Sequence, residues 1–303
     1  REGDRLEAEQ NLPKLGWLTS QNRDQWAKGR AALLEYGGQD METALENLES
    51  GALLICLDDE APVSRSETAS LYLHGGNRLG AENRWFDKSV QLIVCENTKT
   101  GFLGEHSMMD GMPVIPFADY LTKQRYHLCR NDQHASSPRN EPLAVQPIFG
   151  PHLYHAMEQA ADLVNDAQAS HWEWTRQHDV HCQSFFGYGS KFIKTAGFSP
   201  DAFVQMAMQI ATFRLWGGKQ AGTYEATQVR PFLHGRTETT RTVSLQSAAL
   251  CQAMGIRPRY DENDDPTMCQ KKIDLLDQAC KAHVEYIGLA SQAQGVDRHF
   301  LGL

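Results

Sequence analysis

The chain has 303 residues, of which 41% are hydrophobic and 22% are charged, and its formal net charge is −9. This length can bury substantial cores and hold two domains, and the composition is that of an ordinary globular protein. The negative balance argues against general affinity for nucleic acid, which needs clustered lysine and arginine. No apolar run approaches the length that spans a membrane.

Seven cysteines are scattered along the chain without a CxxC pair. An odd number at irregular spacing indicates reduced thiols in an intracellular compartment rather than a disulfide framework. We therefore expect an intracellular protein, cytoplasmic in the first instance, with mitochondria and peroxisomes as alternatives. No metal site is expected.

The first part of the chain is predicted to alternate helices and strands. Two amphipathic helices, residues 21–36 and 41–49, are separated by Gly37 and Gly38. Residues 52–57 form a short apolar run that favours a buried strand, and residues 64–73 have helical spacing.

The most informative stretch is residues 83–114. Residues 89–96 and 102–105 are typical of two hairpin strands around a polar turn that contains glycine. His106 follows the second strand directly, and a histidine fixed there can exchange protons near neutral pH. A histidine after a strand is also often a structural hydrogen-bonding residue, so this stretch alone leaves both interpretations open.

Residues 131–150 contain several prolines and lack a helical period, which predicts a domain boundary there. We place it between domains at residues 1–145 and 146–303. The predicted elements around it are helices at 115–129, 151–169, 199–215, 240–254 and 266–290, and a strand-like segment at 181–186.

Ordered blocks of this sequence resemble the carnitine/choline acyltransferase family, and they run through nearly all of the chain. The blocks are LGWLTSQNRDQWA, NRWFDK, EHSMMDG, KFIKTAGFSPDAFVQ, TYEATQVRPFLHGRTETTR and DRHFLGL. The resemblance implies an α/β fold of two related domains like chloramphenicol acetyltransferase, with the active-site tunnel between them. Family members are considerably longer and continue into a Ser-Thr-Ser block, so we expect an internal, incomplete segment.

The resemblance also implies the reaction: reversible transfer of a short acyl group, acetyl, between coenzyme A and the hydroxyl of carnitine. His106 is then the general base for direct attack, without an acyl-enzyme. Asp110 matches an acidic position that pairs with Arg236 beside the histidine. Coenzyme A and acetyl-CoA are substrates in this scheme, and no bound cofactor is expected.

Three residues match positions that contact coenzyme A in the family. Lys191 and Lys194 correspond to the lysines that meet the 3′-phosphate, although Lys191 is displaced by one residue and Ser190 stands at the usual place. Asp201 resembles the acidic residue on the pantetheine side of the coenzyme. It is equally explained as a first-turn carboxylate that the helix dipole favours.

Substrate identity rests on Tyr224, Thr237 and Arg298, which match the residues of carnitine-using members. Choline-using members lack the threonine and the arginine, and a carboxylate such as carnitine's requires a cation. Two alternatives stay open: transfer to choline, and a non-catalytic segment that binds ligands but lacks the Ser-Thr-Ser block.

Overall fold

The structure, a computed structural model, describes residues 12–107, 109–130, 146–257 and 265–303. It confirms the expected mixture of helix and sheet. The chain divides into two compact units, Arg1–Gln183 and Ser184–Leu303. No helix of the described ranges combines the length and the apolar character that crossing a bilayer requires.

The division differs from the boundary expected at residues 145 and 146. Leu153, Ala156 and Met157 are buried in the same core as Leu33 and Met41 of the first unit. Hydrophobic packing therefore assigns the chain as far as Gln183 to the first unit, although the prolines that suggested a boundary lie earlier.

Unit 1 contains three strands and five α-helices among its described residues, with short 3₁₀ helices at Leu15–Ser20 and Pro151–Leu153. The elements are α1 (Arg23–Ser50), β1 (Leu54–Asp58), α2 (Arg65–His74), β2 (Val90–Cys95), β3 (Thr100–Gly104), α3 (Gly111–Arg130), α4 (Tyr154–Gln159) and α5 (Ala161–Arg176).

The two helices predicted at the start of the chain form one kinked helix, α1. Gly38 has φ 53° and ψ −141°, a conformation that glycine adopts without a Cβ clash. The predicted break is therefore a kink. The start of α1 is fixed by Asn22, whose side-chain oxygen accepts from the backbone N–H of Gln25 at 3.0 Å.

The three strands of unit 1 form one sheet in the order β1-β2-β3. β1 pairs parallel with β2, and β2 pairs antiparallel with β3, which confirms the predicted hairpin. Gly101 of β3 lies under the ring of Tyr72 from α2, and a Cβ there would come within 2.0 Å of that ring. Glycine is therefore required where helix and sheet meet.

Unit 2 contains two strands and five helices among its described residues. They are α6 (Ser190–Thr195), α7 (Pro200–Leu215), β4 (Tyr224–Gln228), β5 (Thr237–Arg241), α8 (Leu245–Met254), α9 (Pro266–Ser291) and α10 (Asp297–Gly302). The predicted start of α7 is confirmed, because Ser199 caps it and Pro200 occupies its first turn.

Two predictions for the second half are wrong. Residues 181–186 carry no strand, since none of the described strands pairs with them. The helix expected from residue 240 begins at Leu245, because Thr240 and Arg241 complete β5. Ser244 caps that helix and pairs reciprocally with Ser247 in a capping box.

The β4–β5 hairpin was not predicted, and its two faces differ in their surroundings. The hydroxyls of Thr227 and Thr240 form a hydrogen bond of 2.5 Å on the buried face. Residues two apart along a strand share a face, and Tyr224 and Thr237 lie on the opposite face from Thr227 by this alternation and the strand register.

Candidate active site

His106 stands two residues beyond the end of β3, as the hairpin prediction expected. The backbone N–H of Glu105 donates to the carbonyl oxygen of Ser89 at 3.2 Å, which extends the hairpin to the residue before the histidine. The carboxylate of Glu105 then accepts from the backbone N–H of Ser107 at 3.0 Å. Hydrogen bonds on both sides thus fix the backbone that carries the imidazole.

The imidazole of His106 is accessible and has a carboxylate close by. Its side chain is 78% exposed, and its Nδ1 lies 3.7 Å from Oδ1 of Asp110. This is an ion-pair distance but too long for a direct hydrogen bond. The predicted neighbourhood of His106 and Asp110 is therefore present in unit 1.

A cavity of about 570 Å³ opens beside His106 within unit 1. Its walls include the aromatic side chains of Phe86 and Trp174 and the imidazole of His171. The volume lies in the range of small-ligand sites, and a mostly apolar wall with few polar groups is typical of them. A group held there would lie next to the imidazole of His106.

His171 is buried at the base of this cavity and is fixed in one tautomer. Its Nε2 lies 3.1 Å from the carbonyl oxygen of His74, so that nitrogen carries the hydrogen and donates it. Burial lowers the imidazole pKa of His171, and that of His74, below the ordinary value. Neither residue stood out in the sequence, because a lone histidine in a helix has no spacing signature.

The two lysines predicted to meet a phosphate lie on α6, the helix directly before α7. Both Lys191 and Lys194 are exposed, while Ile193 between them is buried and anchors the helix. Two mobile cations on one short anchored segment can bind a phosphate from solvent.

Asp201 lies in the first turn of α7 and meets two further titratable groups. Oδ2 of Asp201 is 3.2 Å from Nε2 of His283 on α9, and the same nitrogen is 3.0 Å from Oε1 of Glu225 on β4. Sequence reasoning missed His283 and Glu225. Glu225 stands inside the quoted block TYEATQ, so strand alternation there was an available signal.

Two of the three residues predicted to read carnitine are in contact. Nε of Arg298 donates to the carbonyl oxygen of Thr237 at 3.3 Å, and its Nη2 lies 3.5 Å from the hydroxyl of Thr237. Tyr224 lies on the same face of the hairpin as Thr237, four positions along β4 from its register partner Gln228. Tyr224 and Thr237 thus share one face of the two-stranded sheet, and Arg298 contacts Thr237 at the end of that face.

A second pair, which was not predicted, fixes the helix that carries Arg298. Arg241 donates two hydrogen bonds to the carboxylate of Asp297, at 2.8 Å and 2.6 Å. These bonds hold the pKa of Asp297 below its ordinary range. Glu238 accepts from the backbone N–H of Arg298 at 3.4 Å, so β5 holds the start of α10 at two points.

Arg236 is described in unit 2 and Asp110 in unit 1. Their predicted pairing concerns both units and stays a prediction. The same holds for a reaction that needs His106 of one unit and the Arg298 face of the other.

The groups that the two units carry indicate a class of protein. One unit offers an accessible imidazole beside a ligand-sized cavity. The other offers exposed lysines suited to phosphate and an arginine–threonine pair suited to a carboxylate. The imidazole of unit 1 suits proton transfer, and the cationic groups of unit 2 suit anionic ligands.

Comparison with known proteins agrees with this class. The family model described as Choline/Carnitine o-acyltransferase matches residues 2–303. The chain is 34% identical to mitochondrial carnitine O-acetyltransferase of Saccharomyces cerevisiae, over 98% of this chain and 43% of that protein. It is 32% identical to carnitine O-acetyltransferase of Columba livia, over 97% of this chain and 45% of that protein.

A relative named for choline is nearly as similar. Choline O-acetyltransferase of Rattus norvegicus is 31% identical over 97% of this chain and 44% of that protein. The chain spans less than half the length of these curated relatives. With the family model covering residues 2–303, the chain belongs to the choline/carnitine O-acyltransferase family.

Proposed function

We propose that this chain is part of an acyltransferase that moves a short acyl group reversibly between coenzyme A and the hydroxyl of carnitine. The observation that carries the choice of carnitine is the contact between Arg298 and Thr237, on a face shared with Tyr224. A guanidinium beside a hydroxyl is suited to a carboxylate, which carnitine has and choline lacks.

In this proposal the acyl group passes directly from one substrate to the other, without an acyl-enzyme. The imidazole of His106 removes the proton of the carnitine hydroxyl, and the oxygen attacks the thioester carbonyl. The tetrahedral intermediate then expels the thiolate of coenzyme A, which takes the proton back from His106. The same residue serves the reverse reaction, because it is a base in one direction and an acid in the other.

Nucleophilic catalysis by the neighbouring serine has less support. The hydroxyl of Ser107 donates to a carboxylate oxygen of Glu105 at 2.6 Å. A serine nucleophile is normally activated by a base within hydrogen-bond reach that is itself oriented by a third group. Glu105 instead holds Ser107 as part of the turn.

The second unit supplies the binding groups of the proposal. Lys191 and Lys194 neutralise the 3′-phosphate of coenzyme A, and Asp201 accepts from its pantetheine arm. The family resemblance supports related α/β domains of the chloramphenicol acetyltransferase type, and the pairing of Asp110 with Arg236 stays an expectation of that resemblance. The six cysteines whose side chains the structure describes are free thiols, which is in line with the intracellular setting that we propose.

The test is an acyl-transfer assay on the protein in its full natural length, with acetyl-CoA and either carnitine or choline. We expect thiol release with carnitine at a kcat/KM at least about tenfold above that with choline, as the loss of a charge-assisted hydrogen bond implies. Preference for choline would favour the alternative substrate. Turnover by the full-length protein, together with coenzyme A binding but no turnover by residues 1–303 alone, would favour the non-catalytic alternative for this segment.

A further inference from the structure

His283 is buried on α9 and joins three elements of unit 2. Its Nε2 lies 3.0 Å from Oε1 of Glu225 on β4 and 3.2 Å from Oδ2 of Asp201 on α7. Ionised carboxylates only accept hydrogen bonds, so Nε2 carries the hydrogen and donates it to Asp201, while Glu225 lies at ion-pair distance from the same nitrogen. The imidazole of His283 thus connects α9, β4 and the first turn of α7.

The three members of the cluster differ in their exposure to solvent. The imidazole of His283 is 1% exposed, the side chain of Glu225 is 20% exposed and that of Asp201 is 55% exposed. The other oxygen of Glu225 accepts from the amide of Gln205 at 2.7 Å. With both oxygens of Glu225 engaged inside the unit, Asp201 is the acceptor that a ligand can reach.

The electrostatics of the cluster depend on the imidazole. Burial, and then the charge of Asp201, raise the pKa of Glu225, while His283 opposes both. Two carboxylates that share one donor repel each other if that donor is removed. The exposed member, Asp201, would then turn away from the buried one and lose its fixed orientation.

We propose that His283 is a positioning residue for the coenzyme: it holds the carboxylate of Asp201 as a fixed acceptor for the amide N–H and hydroxyl groups of a pantetheine arm. The inference rests on the proposed function, which takes coenzyme A as substrate. A preorganised acceptor binds more tightly because it loses less conformational freedom on binding.

The cluster lies on the face of the β4–β5 hairpin opposite to the one that carries Tyr224 and Thr237. Glu225 directly follows Tyr224 on β4, so the side chains of these two residues lie on opposite faces of the strand. His283 therefore acts on the coenzyme side of β4, and the carnitine side stays with Thr237 and Arg298. This arrangement predicts an effect on the coenzyme that is separable from one on carnitine.

The experiment compares two substitutions of His283 in the full-length protein. His283→Phe keeps an aromatic ring but removes the donor, and His283→Gln keeps a donor without an imidazole. We expect His283→Phe to raise both the KM and the calorimetric Kd for coenzyme A about tenfold, as the loss of one charge-assisted hydrogen bond implies, with kcat and the KM for carnitine within about twofold. His283→Gln should stay within about threefold of wild type for coenzyme A.

The control is Lys281→Gln on the same helix. Lys281 forms an exposed pair with Asp277, whereas the imidazole of His283 is buried. Lys281→Gln should change neither the KM nor the Kd for coenzyme A. Thermal melting of each variant shows whether it remains folded at the assay temperature.

Asp201→Asn separates positioning from simple support of the fold. If His283 acts through Asp201, then His283→Phe adds less than about twofold to the Kd for coenzyme A in the Asp201→Asn background. An equally large effect in both backgrounds overturns the inference, as does an equal rise for coenzyme A and carnitine. Wild-type binding of coenzyme A without transferase activity would instead refute the proposed function and leave this inference standing.

Discussion

Arg298 and Thr237 lie 61 residues apart in the chain, and the guanidinium of the first donates to the carbonyl oxygen of the second at 3.3 Å. The same family resemblance named both residues, in two different blocks of the sequence. Their contact gives a carboxylate-sized group both a cation and a hydroxyl at one place.

The first prediction concerns this pair. Arg298→Asn should lower kcat/KM for carnitine by about 30-fold or more and leave that for choline nearly unchanged, because only carnitine has a carboxylate to leave unpaired. The measurement is the ratio of the two efficiencies. Arg257→Asn, at an exposed arginine of the same unit, is the matched control. If both efficiencies fall together, Arg298 supports the fold only.

The second prediction concerns His106. His106→Ala should reduce kcat by about 10²–10⁴-fold or more, since one general base serves both directions of transfer. Calorimetric binding of coenzyme A should be unchanged. His155→Ala removes an exposed histidine elsewhere in unit 1 and should have wild-type activity. A His106→Ala protein with more than about a tenth of the wild-type rate contradicts the assignment.

The third prediction compares two exposed lysines on α6. Lys194→Ala should raise the KM for coenzyme A more than Lys191→Ala does, because Lys191 is displaced from the family position. A contact that is equal in ground and transition states changes KM and leaves kcat unaltered. Dephospho-coenzyme A, which lacks the 3′-phosphate, should be insensitive to both changes. Equal sensitivity to the two coenzymes would show that neither lysine meets that phosphate.

The fourth prediction concerns the stability of unit 1. Arg84 and Asp58 form a bidentate pair at 2.8 Å and 2.9 Å, and both side chains are fully buried. Arg84→Met should lower the free energy of unfolding by about 3–5 kcal/mol, because it leaves a buried carboxylate unpaired. Denaturant unfolding measures the change. Adding Asp58→Asn should recover part of the loss, and no recovery would assign the effect to packing alone.

The fifth prediction is a pH dependence. Burial lowers the folded-state pKa of His171, so the unfolded chain binds its proton more readily. Stability should therefore be fully present above the ordinary imidazole pKa and should fall as the pH drops from there through the lowered folded value. His171→Gln, which keeps a donor toward the carbonyl oxygen of His74, should flatten this part of the stability profile. An unchanged profile would show that His171 does not titrate on unfolding.

Local sequence determined the elements whose ends carry their own chemistry. Ser64 and Glu67 form a capping box that starts α2, and Ser199 with Pro200 starts α7, so short-range hydrogen bonds set both helices where the sequence predicted. The hairpin before His106 was also readable, because β-branched and apolar residues flank a polar turn. The ordered blocks of resemblance added the candidate residues one by one.

Only the tertiary structure decided which residues distant in the sequence come into contact. The strand TETTR is too polar to predict from apolar alternation, and it is held by hydroxyl pairs such as Thr227 with Thr240. The unit boundary follows core packing that no linker composition reports. His283 and Asp201 are 82 residues apart and meet because α9 packs on α7. Contacts between distant positions depend on the assembled fold, which local patterns of spacing and charge do not encode.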